Sequence, residues 1–418
     1  MLTKNNVSQT VKDDLCCSCG LCKSYCKQNA IEYVVNTLGF YVPKVDADKC
    51  NHCGLCIKSC PGTNDLKNYN PQEETYCYGY SLDEEMRLNA SSGGITTELL
   101  CYLVENKIVD YVTCVTNRTD NHLPQQILTN DIEQIRNART SKYCPVSWEN
   151  ILNKINTTNG TVAVIGLPCQ INSLKKYYQN KKHNIKFFIS LFCNHTPSLY
   201  AAEYLTKALG KDIKLKSIIN RGHGFPGYMT LAIEHNSAEK NVYFPYRKTM
   251  AAGYGTYFKN VRCMVCNDPF SKSADIVLGD SYFLQDTDTQ GTTLCIVRNP
   301  EIADILNKMV EKKIIQLHDG PQKDVIEKYY KILFDREKNF AKKNAILLKS
   351  SKGIKVSDNT PTPNVSLKDK IRFYKSVFVG GLGKYHRLWG LLAKIKHVKA
   401  LSKNSINDTT ENNSRNRL

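Results

Sequence analysis

Residues 16–28 (CCSCGLCKSYCKQ) and 50–62 (CNHCGLCIKSCPG) write one cysteine pattern twice, C-x2-C-x2-C-x3-C. Loops this rich in thiols bury little apolar surface, so they fold around what the thiols hold. Iron in a cubane cluster takes four thiolates; such a loop supplies three, and the fourth comes from further along. Paired zinc knuckles are the competing reading, but zinc sites seldom use two such tight phrases without histidines. Eighteen cysteines would suggest disulfides in a short secreted chain. This chain has 418 residues, and its start, MLTKNNVSQTVKDD, has no apolar signal-peptide region. The expectation is reduced thiolates in the cytoplasm.

In two-cluster ferredoxins the fourth cysteine of each phrase serves the other cluster. Cys16, Cys19, Cys22 and Cys60 then hold one 4Fe-4S cluster, and Cys50, Cys53, Cys56 and Cys26 the second. Lys27 follows the first phrase where Pro61 follows the second; proline donates no ligand, so the change adjusts geometry only. Cys17 falls off the spacing and reads as a bystander. Cys77, Cys101, Cys114, Cys144 and Cys295 have no spacing logic and read as core packing.

The expected architecture is α+β/α/β in three parts. Residues 1–70 form a small two-cluster ferredoxin-like domain with a strand pair at IEYVV and GFYVPKV, followed by a polar linker, NDLKNYNPQEE. Residues 76–345 form a larger mixed α/β domain. Here strands (IVDYVTCVT, TVAVIG, IKFFISLFC) alternate with helices (SGGITTELLCYLVENK, QINSLKKYYQNKK, PSLYAAEYLTKALG), the pattern of parallel βαβ units. Shorter β runs after 213 suggest an added antiparallel part, before ADIVLGD and TTLCIVR return as strands. Residues 346–418 form a basic helical tail whose end, NSINDTTENNSRNRL, reads as disordered.

Four further cysteines stand in informative places. Cys169 lies just past one strand, Cys193 closes another, and Cys263 and Cys266 form a C-x2-C. Parallel strands end on one edge of a sheet, so these thiols either converge on a third four-thiolate site or are buried packing residues. A nucleophile on a strand-to-helix turn is a third reading for Cys169, without a base marked near it.

At this point the chain resembles the beta subunit family of coenzyme F420 hydrogenase/dehydrogenase, fused behind a two-cluster ferredoxin domain. The resemblance covers about 1–300 and rests on SSGG at 91–94, SKY at 141–143, GLPCQI at 166–171, LFCNHTP at 191–197, and RCMVCND followed by ADIVLGD. It implies an iron–sulfur flavoprotein with FAD and a third 4Fe-4S cluster at Cys169, Cys193, Cys263 and Cys266. It departs from the family pattern at NRGHGFPGY and at Asp280–Ser281–Tyr282, where relatives carry other residues.

A flavin pyrophosphate asks for close backbone amides and a cation. Ser92, Gly93 and Gly94 at a helix start, with Ser141, Lys142 and Tyr143, are the candidates, and Gly166 and Pro168 shape the turn bearing Cys169. SSGG alone is equally an ordinary helix cap, and SKY alone a surface loop. No GxGxxG follows a strand, so an NAD site is not supported. His195, Arg221 and His223 are the candidate catalytic groups, a proton carrier and an anion partner.

The expected function is an iron–sulfur, flavin-dependent oxidoreductase. It passes electrons between ferredoxin-type clusters, FAD and a bound acceptor or donor, deazaflavin-like or an unidentified metabolite, with surface-polysaccharide synthesis as one setting. The alternative is an electron-transfer adaptor feeding a separate reductase. A redox partner protein, ferredoxin or reductase, is expected in either case. The net charge of +18 is scattered and no nucleic-acid module is present, so no nucleic-acid partner is expected. The tail FYKSVFVGGLGKYHRLWGLLAKIKHVKALSK mixes Phe, Leu and Trp with Lys and Arg. It reads as a peripheral helix on an anionic membrane, or as a partner-docking or solvated helix.

Overall fold

The computed structural model describes residues 5–63, 73–118, 121, 123–350, 352–354 and 363–406. Most of the expected linker and of the expected disordered end lies outside the described residues. The strands in chain order are β1 (Ile31–Val35), β2 (Tyr41–Val45), β3 (Thr75–Ser81), β4 (Tyr111–Asn117), β5 (Pro124–Thr129), β6 (Val162–Gly166), β7 (Ile185–Leu191), β8 (Lys214–Gly222), β9 (Tyr228–His235), β10 (Ala238–Pro245), β11 (Ile276–Asp280), β12 (Thr293–Val297) and β13 (Ile315–Asp319).

Eight strands form one sheet in the order β13-β3-β12-β11-β7-β6-β4-β5. Its centre is parallel (β11, β7, β6, β4), and its margins are antiparallel: β5 beside β4, and β12, β3 and β13 beyond β11. The sheet is therefore mixed: the alternating segments supply its parallel centre, and antiparallel strands flank it on both sides. The central strands are buried on both faces, as in parallel sheets covered by helices. One face packs on helices Ile95–Glu105 and Pro300–Glu311, and the other on Ile151–Thr157 and Pro168–Tyr178. Strands β8, β9 and β10 form a separate antiparallel sheet, covered by helix Tyr200–Leu209.

The cysteine-rich unit, with hairpin β1–β2, docks on the second face of the large sheet. Leu21 and Tyr25 join Trp148, Ile171 and Leu174 in one apolar cluster. Trp148 N donates to Cys19 O (2.9 Å), and Tyr25 Oη donates to Ser173 Oγ (3.0 Å), which itself donates to Ser59 O (3.0 Å). Gly20 permits this approach: its φ is +82°, and a Cβ there would lie 2.2 Å from Ser147 Oγ and 2.6 Å from Trp148 N.

The C-terminal region is helical and packs on the body. Helix Leu367–Gly380 opens with a capping box at Ser366 and Asp369 and buries Phe373 against Met264 and Val265. Its outer face keeps apolar side chains in solvent: Leu367 is 72%, Ile371 61% and Phe378 64% exposed. Gly380 and Gly381 close this helix, and Gly383 lies in the turn that follows. Gly380 O accepts from Lys259 N (2.9 Å), and Gly383 lies against the Phe258 ring. Helix Trp389–Ile395 buries Trp389 and Ala393 on Tyr204 and Leu205. Among the described residues no helix is long and apolar enough to cross a membrane.

Candidate functional site

All eighteen cysteines are free, and the twelve singled out fall into three groups. In the first, Cys60 arrives beside Cys16, Cys19 and Cys22, and these thiols line one small cavity. In the second, Cys26 crosses to Cys56, which also faces Cys53; Cys50 sits in the same loop and accepts from Asn6 Nδ2 (3.6 Å). Each phrase thus sends its fourth cysteine to the other.

The sulfurs are surrounded by donors. Ser18 N reaches Cys16 Sγ, Ala30 N reaches Cys26 Sγ and Gly62 N reaches Cys60 Sγ, each at 3.4 Å. Tyr33 Oη lies 2.7 Å from Cys22 Sγ, and Thr10 Oγ1 3.6 Å from Cys60 Sγ. Hydrogen bonds aimed at sulfur suit metal-held thiolates. Burial pushes the free thiols of Cys16, Cys19, Cys22 and Cys60 upward, so they are neutral until a metal draws off the protons. Among the described residues, no three His, Cys, Asp or Glu side chains are close enough together to hold a single metal ion.

The third group forms at the carboxyl edge of the large sheet. Cys169 stands in the first turn of helix Pro168–Tyr178, directly after β6. Cys193 follows β7, the parallel neighbour of β6. Cys263, in the short helix Val261–Met264, and Cys266 come from the loop side; Cys193 faces both, and Cys169 faces Cys193 and Cys263. A fifth thiol, Cys17, faces Cys169 and Cys266, with its Sγ 4.0 Å from Leu15 O. Residue spacing treated Cys17 as a bystander; chain folding places it in this group.

Beside Cys193 opens a cavity of about 410 Å³, within the range of small-molecule and cofactor sites. Ser92, Gly94, Ser141, Lys142, Tyr143, Gly166, His195 and Arg221 line it. The N-terminal turn of helix Ile95–Glu105 contributes Thr96 and Thr97, a positive helix end facing the cavity. Lys142 Nζ is anchored to Thr140 O (2.9 Å) and Thr140 Oγ1 (2.6 Å), and burial lowers its pKa to about 8. Tyr143 stacks on Tyr246, ring centroids 5.3 Å apart.

Three expected residues do not line this cavity. Gly93 (φ +56°) is held by the sheet instead: a Cβ would meet Thr293 N at 2.8 Å and Gly79 O at 2.9 Å. Pro168 is the first residue of its helix and is buried there. His223 turns toward β9 and β10, with Nε2 3.3 Å from Thr230 Oγ1 and its ring edge-on to Tyr243. Arg221 does line the cavity, but it is committed: Nη1 donates to Asp280 Oδ2 (2.7 Å) and Nε to Pro226 O (3.0 Å), leaving Nη2 without a partner. For His195, burial with Lys259 and Arg336 nearby lowers the pKa to about 3. The Gly255 backbone interacts with it weakly, and neither ring nitrogen has a partner in ordinary hydrogen-bond geometry.

Residue spacing also missed Ser91, whose Oγ accepts from Ser141 N (2.8 Å). Cys77 and Cys295, read as packing residues, meet across β3 and β12 in the apolar core.

A mixed sheet carrying thiol groups at its carboxyl edge and on its docked unit defines an iron–sulfur, electron-transfer oxidoreductase-like class. The chain belongs to the coenzyme F420 hydrogenase/dehydrogenase beta subunit family: the N-terminal model of that family matches residues 76–153 and the C-terminal model 159–323. A 4Fe-4S binding domain matches residues 42–65. An uncharacterized protein of Methanocaldococcus jannaschii is 29% identical over 65% of this chain and 95% of its own length. A subunit of the F420H2 dehydrogenase of Methanosarcina mazei is 22% identical over 45% of this chain and 55% of its own length, so the match spans about half of that relative. A chain in the structure of the F420-reducing NiFe hydrogenase complex from Methanosarcina barkeri superposes with a TM-score of 0.51 at 19% identity, covering 70% of this chain and 98% of that one. That likeness shows the shared fold.

Proposed function

We propose that the chain is an iron–sulfur flavoprotein oxidoreductase that passes electrons between two ferredoxin-type 4Fe-4S clusters, a third cluster, FAD and a bound acceptor or donor. The observation that carries this reading is Cys193, which belongs to the third thiol group and also lines the large cavity. A cluster held there would adjoin whatever the cavity binds.

Cys16, Cys19, Cys22 and Cys60 would hold the first cluster, Cys26, Cys50, Cys53 and Cys56 the second, and Cys169, Cys193, Cys263 and Cys266 the third. When bound, FAD supplies one-electron exchange with clusters and two-electron exchange with a hydride acceptor. The chain's own residues fit it at both ends. Lys142 and the positive end of helix Ile95–Glu105 would hold the pyrophosphate, and Tyr143 offers a ring face. Arg221 Nη2, buried and unpartnered, is a donor for an anionic group of the acceptor. The acceptor we propose is deazaflavin-like or another small anionic metabolite. The protein partner is a further subunit or a ferredoxin, because two of the relatives belong to F420 enzyme complexes.

For location we propose peripheral contact with an anionic membrane surface. Leu367, Ile371, Tyr374 and Phe378 repeat at helical spacing on an exposed face, interleaved with exposed Lys368, Arg372 and Lys375.

Anaerobic purification with iron, zinc and flavin counts tests the main proposal. About twelve irons and one FAD per chain are expected. About eight irons with FAD would remove the third cluster. Eight without flavin would leave an electron-transfer adaptor, and zinc without iron would overturn the whole proposal.

A further inference from the structure

The two cysteine phrases end in matching turns with different surroundings. After the second phrase, Thr63 N donates to Cys60 O (3.4 Å), and Pro61 at the corner is buried. The body of the fold covers that turn. Arg262, itself buried, donates through Nε (3.2 Å) and Nη2 (2.9 Å) to Pro61 O, and Ser173 Oγ donates to Ser59 O (3.0 Å). After the first phrase, Asn29 N donates to Cys26 O (3.2 Å), and the corner residue is Lys27, exposed together with Gln28 and Asn29. Proline pre-sets φ at such a corner; lysine gives up that preference and puts a cation beside Cys26. The thiols divide the same way. Of the eighteen cysteines only Cys53 is exposed, and it belongs to the second group.

Further cations gather at this open side. Lys58 ends the helix that carries Cys56, and Lys181 and Lys182 come from the loop after helix Pro168–Tyr178; all three are exposed. An aromatic stack fixes Lys181 at the seam between the docked unit and the body. Tyr25, the residue before Cys26, stacks on Tyr177 with ring centroids 4.1 Å apart and fills one face of that ring. Lys181 takes the other face, its Nζ 3.4 Å from the ring centroid. Burial of its amine, then the charges of Lys27 and Lys58, hold Lys181 below the usual lysine range, in keeping with three segments sharing one face. Lys23 is paired with Glu149 (3.0 Å) and Lys49 with Asp46 (3.1 Å). Among the described residues no carboxylate pairs with Lys27, Lys181 or Lys182, and exposed Asp48 beside Cys50 does not balance them.

We propose that Lys27, Lys58, Lys181 and Lys182 form the docking surface for an acidic one-electron carrier protein, which makes the second cysteine group the electron port of the chain. This rests on the function proposed above and deepens it by naming the face and the charge of the partner. Complementary charge steers encounter and fixes register, so a basic rim around the most exposed cluster site selects a carrier with carboxylates around its own redox centre. In the step served, the carrier is oxidised by one electron as the second cluster is reduced by one, or the reverse; no bond forms or breaks and no proton moves.

The test uses the full anaerobic holoprotein with a purified acidic bacterial ferredoxin as probe. Binding is measured by calorimetry and electron transfer by stopped flow, at low and high salt, for wild type, Lys27→Pro, Lys181→Glu with Lys182→Glu, and Lys240→Glu on the distant strand β10. The wild type is expected to bind more weakly at high salt, with a transfer rate lower by about tenfold or more. Lys27→Pro restores the residue of the matching turn, and the paired Glu variant lies on the body away from any cysteine. Both are expected to keep the wild-type iron count and to lose binding and rate at low salt, with Lys240→Glu unchanged. Reduction by methyl viologen radical, a small cation, is expected not to slow in either variant. Salt-independent binding, or variants that bind as the wild type does, would overturn the proposal. Equal slowing with ferredoxin and viologen would also overturn it, by tracing the effect to the cluster and not to docking. A wild-type protein without iron would overturn the parent reading as well, and iron counts made first separate that failure from the others.

Discussion

Ser141 N donates to Ser91 Oγ at 2.8 Å, tying the SSGG and SKY segments together on the wall of the large cavity. The same hydroxyl donates to Arg221 O at 3.4 Å, so Ser91 links three pieces of the cavity wall. Ser91→Ala leaves the Ser141 amide without its partner at a part-buried position, a cost of about 1–3 kcal/mol. Urea unfolding is expected to show that loss, with flavin content reduced. Unchanged stability and flavin content would show that the link is dispensable.

In the proposed flavin site, Lys142 is expected to make binding pH-dependent. Burial lowers its pKa to about 8, so the free protein carries the cation below that pH and loses it above. Binding a pyrophosphate favours the charged amine, so binding takes up a proton as pH rises past about 8, and FAD affinity falls. Fluorescence titration of flavin-depleted protein between pH 6.5 and 9.5, roughly the interval around that pKa, is expected to show the fall. Lys142→Met is expected to bind more weakly at pH 7 with a flat profile. A flat profile in the wild type would place the phosphate elsewhere.

Arg221 and Asp280 form a buried ion pair (2.7 Å), at 2% and 10% side-chain exposure. Asp280→Asn leaves a buried guanidinium charge unpaired, at a cost of about 3–5 kcal/mol. Replacing both residues with apolar ones of similar volume, Arg221→Met with Asp280→Leu, is expected to recover most of that stability in urea unfolding while acceptor binding is lost. Equal stabilities of single and double variants would show that the pair is uncoupled.

What was legible in the sequence follows from which interactions are local. The central strands β6, β7 and β11 are mostly apolar, β4 (YVTCVTN) is rich in β-branched residues, and the helices between them carry regular apolar faces, so residue patterns located them. The marginal strands β3 (TYCYGYS) and β5 (PQQILT) mix polar and apolar residues because they lie at or near the sheet edges, and they carry no such signal. Within the site, the fixed cysteine spacing pointed to the first two thiol groups, because each loop is built from neighbours in sequence. Cys17 was passed over for the complementary reason: spacing measures distance along the chain, and its neighbour Cys169 arrives by tertiary folding. His223 shows the converse, a histidine in a promising segment whose left-handed backbone (φ 63°) turns it toward Thr230 instead.

The tail predicts a membrane experiment. Burying a side chain such as Ile371 or Phe378 contributes about 1.5–3 kcal/mol, and each Lys or Arg near an anionic surface about 1 kcal/mol. Leu367, Ile371, Tyr374 and Phe378 share one exposed face, while Phe373 holds the opposite side of the helix to the body. The helix can therefore meet a lipid surface without leaving its place in the fold. The full chain is expected to co-sediment with phosphatidylserine-containing vesicles at low salt, less at high salt, and far less with pure phosphatidylcholine. Ile371→Asp with Phe378→Asp is expected to abolish sedimentation with iron and flavin counts unchanged. Wild-type protein that stays in the supernatant with anionic vesicles at low salt would remove the membrane from the proposal.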